Sequence, residues 1–209
     1  MNDAEFAAPL SARVGAVEEL WIFPVKSLSG SLVTEAELTS AGVAGDRSWA
    51  VVAEDGSTLT AKQEPRLREA SARVADGELL VDVPGHGSDL PESAAEAALS
   101  QWLGRTVQLR HETGGFVDVA PVHLVSRSSI TDAEHAEECD ACDIAAPRAN
   151  VVVRLADGAA NEREWVGAAL AAGAAELVVV KVPKHCLGVY ADVRTPGGIK
   201  VGDQLSLSR

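Results

Sequence analysis

Cysteine is scarce, three in 209 residues, and its odd number excludes the disulfide framework that staples small secreted domains. Basic residues are few as well: 18 Lys and Arg stand against 31 Asp and Glu, a formal net charge of −13. Phosphate backbones and anionic lipid reward clustered positive charge, so general binding to nucleic acid or to a charged membrane surface is excluded. No apolar run reaches the roughly 18 residues of a membrane-spanning helix. Met1 to Leu10 carries Asp3 and Glu5 and lacks the basic flank and apolar stretch of a secretory signal. A reducing cytoplasm is the expected compartment. Also missing are G-x-S-x-G, a G-x-G-x-x-G after a strand, a Walker sequence and H-E-x-x-H, which removes the commonest hydrolase and nucleotide-binding readings.

Apolar residues at 46% and charged residues at 23% describe an ordinary globule, long enough to bury a substantial core in one large domain or two small ones. Short β-like stretches dominate from Val14 onward: Val17–Phe23, Leu32–Leu38, Ser48–Ala53, Thr58–Ala61, Ser71–Val74 and Leu79–Val83. Their close spacing predicts a barrel or a strongly bent sheet. Pro84–Pro91 reads as a loop, and Glu92–Leu103 as a helix with acid near its start and Gly104 past its end. Thr106–Arg110 reads as a strand, and the polar stretch His111–Gly115 as a seam between two halves. The second half predicts strands at Val122–Ser126, Asn150–Leu155, Glu176–Val182 and Leu187–Val193, a helix over about Ser128–Glu138, and a closing stretch Lys200–Leu207 around the Gly202-Asp203 turn. Ser126-Arg127-Ser128-Ser129 suits the cap of that helix, and Gly197-Gly198 a hairpin turn. Alanine favours a helix over Trp165–Ala175 and Gly167 and Gly173 oppose it. The expected architecture is a β-rich α+β protein in two adjacent or intertwined halves.

Cys186 is the first chemical candidate. It follows the break of a hydrophobic strand at Pro183, with Lys184 and His185 beside it. Positive neighbours favour the thiolate, the form that ligates soft metals or attacks electrophiles; the plain alternative is a buried cysteine acting as a small hydrophobe. Cys139 and Cys142 form a CxxC set among Glu137, Glu138, Asp140 and Asp143. It supplies half of a zinc site, follows a helix rather than opening one, and sits in an acidic setting that opposes thiolate chemistry. Lys26 and Ser27 leave the first strand, Arg47 opens the third, and Arg148 and Asn150 open another. Basic groups at strand ends are usually just solvated. Three such groups in so acidic a chain would, if they converge, make a cationic pocket for a small phosphorylated ligand.

Read in order, LWIFPVKSLSG (Leu20–Gly30), AGDRSWAVV (Ala44–Val52), LTAKQEPRL (Leu59–Leu67), PVHLVSRSSI (Pro121–Ile130), RANVVV (Arg148–Val153), HCLGVYADV (His185–Val193) and GGIKVGDQL (Gly197–Leu205) resemble the MOSC family. That family is named for the C-terminal domain of molybdenum cofactor sulfurase, here preceded by a MOSC N-terminal β-barrel domain. The layout is similar to the mitochondrial amidoxime-reducing component and its bacterial relatives. The resemblance implies an N-terminal β-barrel-like domain over 14–110 and a MOSC domain over 111–209. It also tips the alanine-rich Trp165–Val182 stretch toward a β-hairpin.

The resemblance further implies binding of the molybdenum cofactor, with Cys186 as thiolate ligand to the metal and catalytic centre. Lys26, Ser27, Arg47, Arg148 and Asn150 would hold the pterin and its phosphate. Lys184, where the family has a small polar residue, would add a phosphate contact or narrow the pocket. The implied activity is reduction of N-hydroxylated or other N- or S-oxygenated small molecules. Because the chain stops at Arg209, short of the ferredoxin-like iron–sulfur domain fused to some relatives, electrons are expected from a separate ferredoxin-like or flavin or haem reductase. A non-catalytic carrier of cofactor or of persulfide sulfur is the alternative.

Overall fold

In the computed structural model of the protein, the described residues are 11–113, 115–116, 119–135, 148–184 and 186–208. Seven strands close into a barrel in the order Val151–Leu155, Val122–Ser126, Val189–Thr195, Ala175–Lys181, Ala169–Ala172, Gln204–Ser208 and Ala12–Ile22. The last pairs back onto the first, with Val17 opposite Val153 and Leu20 opposite Val151. Val122–Ser126 and Val151–Leu155 run parallel; the other barrel pairings are antiparallel. Closure leaves no bare edge in the ring. Alternate side chains point inward, as the period of a strand dictates, so Leu170 and Ala172 on one strand and Leu177 and Val179 on the next are buried. Trp165, on a 3-10 turn over Glu162–Trp165, joins this core and donates its indole N–H to the Ala160 carbonyl at 3.2 Å.

A second core lies in the lobe between the first strand and His111. There Val107–His111, Trp49–Ala53 and Val25–Lys26 form one small sheet, and Ser71–Ala75, Glu78–Val83 and Gly87–Pro91 another. The helix Glu92–Leu103 buries Ala95, Ala98, Leu99 and Leu103 against Val81, Val107 and Leu109. A third sheet stitches lobe to barrel: Gly197–Lys200 pairs with Glu35–Thr39, which pairs with Gly42–Val43. Early and late segments are therefore interleaved. The first strand belongs to the late-sequence barrel.

The β-rich α+β reading is borne out, and the Trp165–Val182 stretch is the hairpin that the family resemblance favoured. Ala172 faces Ala175 across its turn. Gly173 has φ +59°, and a Cβ there would stand 2.6 Å from the Gly198 carbonyl oxygen. Alanine's helical preference loses to burial in the barrel wall.

Three local expectations need correction. Thr58–Ala61 is not a strand: Thr58 makes an isolated bridge to Val52, and the chain then turns, with Gln63 Oε1 accepting from both the amide and the hydroxyl of Thr60. Local side-chain bonds of this kind compete with a ladder. The stretch Pro84–Pro91 is not all loop, because Gly87–Pro91 forms an exposed strand on Glu78–Val83, held by Arg73–Asp89 and by the Asp89 amide on Asp82 Oδ1. Gly197-Gly198 lies within a strand, with Gly197 packed against the Ala174 carbonyl so closely that a Cβ would sit 2.6 Å from it. The helix expected over Ser128–Glu138 is described over Arg127–His135, opened by Ser126 Oγ accepting the Ser129 amide at 3.1 Å. Cys139, Cys142 and the remainder of that expected helix lie outside the described residues, as does His185.

Candidate functional site

Lys26 ends the strand Val25–Lys26, half-buried, where the chain leaves the lobe sheet. Ser27 follows with φ 72°, and Arg47, before the strand Trp49–Ala53, has φ 49°. Left-handed conformations are unfavourable for residues with a Cβ and tend to persist where surrounding contacts impose them. At Ser27 the hydroxyl is 9% exposed and accepts the Ala61 amide at 3.1 Å. At Arg47 the main-chain N–H donates to the Phe23 carbonyl at 2.7 Å, and the Arg47 carbonyl accepts the Phe116 amide at 2.8 Å.

Arg47 and Arg148 meet around Phe23. Their guanidinium carbons lie 5.4 and 4.4 Å from the ring centroid, and Trp21 stacks on Phe23 with centroids 6.1 Å apart. Arg47 donates through Nη1 to Asp46 and through Nη2 to the Arg148 carbonyl at 3.1 Å. Arg148 donates through Nη1 to the Leu28 carbonyl, which ties it to the loop just after Ser27. Asp46 is buried and also accepts the Phe23 amide at 2.8 Å, so one carboxylate orders both the ring and a guanidinium. Arg47 and Arg148 thus share the Phe23 ring, with the buried Asp46 carboxylate against Arg47.

Asn150 is 1% exposed and serves the strands. Its Oδ1 accepts the His123 amide at 3.2 Å, its Nδ2 donates to the Trp21 carbonyl at 3.4 Å, and its main chain bonds both neighbours. His123, 8% exposed, places Nε2 2.8 Å from the Leu187 carbonyl and tilts its ring on Tyr190 at 4.9 Å between centroids. Burial first, and the charge of Arg47 as well, hold its imidazole below the usual 6.5, against bonds to the Leu187 and Arg148 main chains that favour the charged form. Leu187 follows Cys186, a free and half-buried cysteine. Gly188, next along, has φ +76°, and a Cβ there would lie 2.0 Å from the Leu124 carbonyl oxygen, so only glycine lets this loop lie so close to the barrel strand. A continuous set of contacts therefore joins the cysteine loop, through His123, to Arg148, Arg47 and the Ser27–Leu28 turn. Lys184 is exposed on the same loop as Cys186, and no polar contact joins it to this cluster among the described residues.

Phe23, Asp46 and His123 were not singled out from the sequence. Each lies inside a motif that carries the resemblance, beside Pro24, in Gly45-Asp46-Arg47 and in Pro121-Val122-His123, yet none announces a role by spacing. The signal in hindsight is polarity out of place: a histidine among Val122, Leu124 and Val125, and an aspartate buried beside an arginine.

No helix among the described residues is long and apolar enough to cross a membrane. Residues 14–113 match the family described as the MOSC N-terminal beta barrel domain. Mitochondrial amidoxime reducing component 2 of Rattus norvegicus is 42% identical over 172 residues, covering 57% of this chain and 51% of that protein. Mitochondrial amidoxime-reducing component 1 of Homo sapiens is 42% identical over 85 residues, 39% of this chain and 25% of that one. The chain thus spans about half the length of the rat relative and less of the human one. The solved structure of the YUAD protein from Bacillus subtilis aligns with 96% of this chain and 100% of its own at 13% identity, with a TM-score of 0.48. Over residues 14–113 the chain thus belongs to the family of the MOSC N-terminal beta barrel domain, and the order of its later motifs is similar to that of the amidoxime-reducing relatives.

Proposed function

We propose that the protein binds the molybdenum cofactor and reduces N-hydroxylated or other N- or S-oxygenated small molecules with electrons from a separate protein. The observation that carries this reading is the path of bonds through His123, which joins the Cys186 loop at Leu187 to Asn150, two residues from the Arg148 that Arg47 bonds. The donor set fits the group. A soft sulfur suits molybdenum, and two planar guanidiniums with a lysine suit a phosphate tail, whereas nucleic acid would demand a far larger basic surface. The amidoxime-reducing relatives carry in their names the reaction class assigned here.

When bound, the cofactor supplies a metal that changes oxidation state and can accept an oxygen atom from substrate. The chain's share is placement. Cys186 would offer its thiolate to the metal from a loop seated against Leu124. Arg47 and Arg148 would grip the phosphate, stiffened by Asp46 below and Phe23 between them. Lys26 would add a point charge, Ser27 a hydroxyl and Asn150 the framework that spaces the strands. Lys184, exposed at the rim, would meet an anionic part of cofactor or substrate. A ferredoxin-like or flavin or haem reductase would deliver the electrons, and a reducing cytoplasm would keep the thiol free.

The test is metal content. Protein made in a cofactor-competent host is expected to hold about one molybdenum per chain, the stoichiometry of a single thiolate site, and Cys186→Ala to lose most of it. Wild-type protein free of molybdenum would overturn the reading. The half-exposed thiol also suits the carrier alternative. That alternative requires extra sulfur on Cys186 after exposure to a cysteine desulfurase, and no turnover of N-hydroxylated probes with a competent electron donor.

A further inference from the structure

His123 is assigned no part of the cofactor, yet it touches both the cysteine loop and Asn150. We propose that His123 is a positioning residue: its ring clamps the Cys186–Gly188 loop in register with the Arg148–Asn150 segment. This rests on the proposed function for its catalytic meaning, although the clamp itself is a property of the chain.

The geometry is specific. On one side Nε2 meets the Leu187 carbonyl at 2.8 Å, one residue from the sulfur. On the other, the His123 amide donates to Asn150 Oδ1 at 3.2 Å and the His123 carbonyl accepts the Asn150 amide at 2.8 Å. Tyr190, directly across the ladder, supports the ring face. Because Leu187 can only accept through its carbonyl, Nε2 must carry the hydrogen. A residue chosen for packing alone would be apolar here, since the neighbours Val122, Leu124 and Val125 are fully buried. Placing an imidazole among them costs free energy unless its nitrogens are bonded. The ring bonds the cysteine loop, and the main chain of the same residue bonds Asn150, so one residue holds both segments. Arg47 and the fully buried Glu162 are the charged groups that act on the ring, with opposite sign.

The experiment compares parent, His123→Gln and His123→Leu in a Cys139→Ser, Cys142→Ser background, as cofactor-free protein. Gln keeps an N–H at about the same reach; Leu keeps the volume and removes the donor. The readout is the rate at which iodoacetamide alkylates Cys186, mapped by mass. The Leu variant is expected to react about five-fold faster, the ratio corresponding to one ordinary neutral hydrogen bond, with the Gln variant returned close to the parent rate. Gln behaving as Leu does, or all three reacting alike, overturns the clamp. Should the Leu variant not fold, the ring nitrogen shifts of His123 in the parent decide: a protonated Nε2 is expected, and a bare Nε2 with protonated Nδ1 overturns the proposal. Molybdenum content of the same variants separates the two readings, because a parent without metal refutes the cofactor assignment while the alkylation rates still judge the clamp.

Discussion

Arg148 stacks on Phe23, bonds the Leu28 carbonyl and lends its own carbonyl to Arg47, so a change there removes charge, packing and a loop tether together. Arg148→Ala is expected to weaken cofactor retention by about 1.5–3 kcal/mol, the worth of a charged hydrogen bond. Arg148→Lys should not restore it, since a lysine cannot fork or lie flat on the ring; molybdenum remaining after dialysis checks both. His123 makes a second, pH-dependent expectation. Its imidazole is held below 6.5 in the fold, so as pH falls past that value the unfolded chain binds a proton that the folded chain does not. Stability should therefore decline with acid in that window, and His123→Gln should flatten this part of a urea-midpoint profile against pH. Glu162 is wholly buried and neither of its carboxylate oxygens has a hydrogen-bond partner among the described residues. Replacing it by methionine removes an unsatisfied polar group from an apolar core, and should raise stability by about 1–3 kcal/mol in denaturant melts. The cations of the site were legible because positive charge at strand ends stands out in an acidic chain. Asp46 and His123 were not, because their meaning lies in bonds to Phe23 and Leu187, 23 and 64 residues away in sequence.

Elements were read from the sequence where local chemistry and tertiary demand agree. The helix Glu92–Leu103 is one such case, with Glu92 in its first turn, its buried face at Ala95, Ala98, Leu99 and Leu103, and Gly104 as its stop. Val122–Ser126, buried at every position, is another. Reading failed where long-range partners decide. Gly87–Pro91 has the composition of a loop and becomes a strand because Arg73 and Asp82 hold Asp89. The cysteine loop is the most demanding element, since its path depends on a left-handed glycine pressed against a neighbouring carbonyl. Gly188→Ala is expected to cost about 2 kcal/mol or more, through backbone strain and the clash with Leu124 together, and to lower the thermal midpoint even without cofactor.

The molecule as a whole is closed by its first strand. Ala12–Ile22 lies between Val151–Leu155 and Gln204–Ser208, and without it the ring has two open edges. Residues 111–209 expressed alone are therefore expected to aggregate or stay unstructured, and co-expression with residues 1–110 to restore a cooperative melt. A melt of the isolated later half equal to that of the whole chain would contradict this.

That arrangement also sets an order of events on the ribosome. Apart from Glu35–Val43, which waits for Gly197–Lys200, the lobe from Val25 to Leu109 has its own core once its helix and following strand emerge. The first strand, made before all of these, finds Ser31–Val33 early but must wait for its barrel partners Val151–Leu155 and Gln204–Ser208. Until they arrive, its apolar positions Val17 and Leu20 are exposed and the thiol loop does not yet exist. Ligand loading is thus tied to synthesis of the strands beyond Val189, and a nascent-chain complex stalled before that residue should expose the opening strand to protease while the core of the lobe resists.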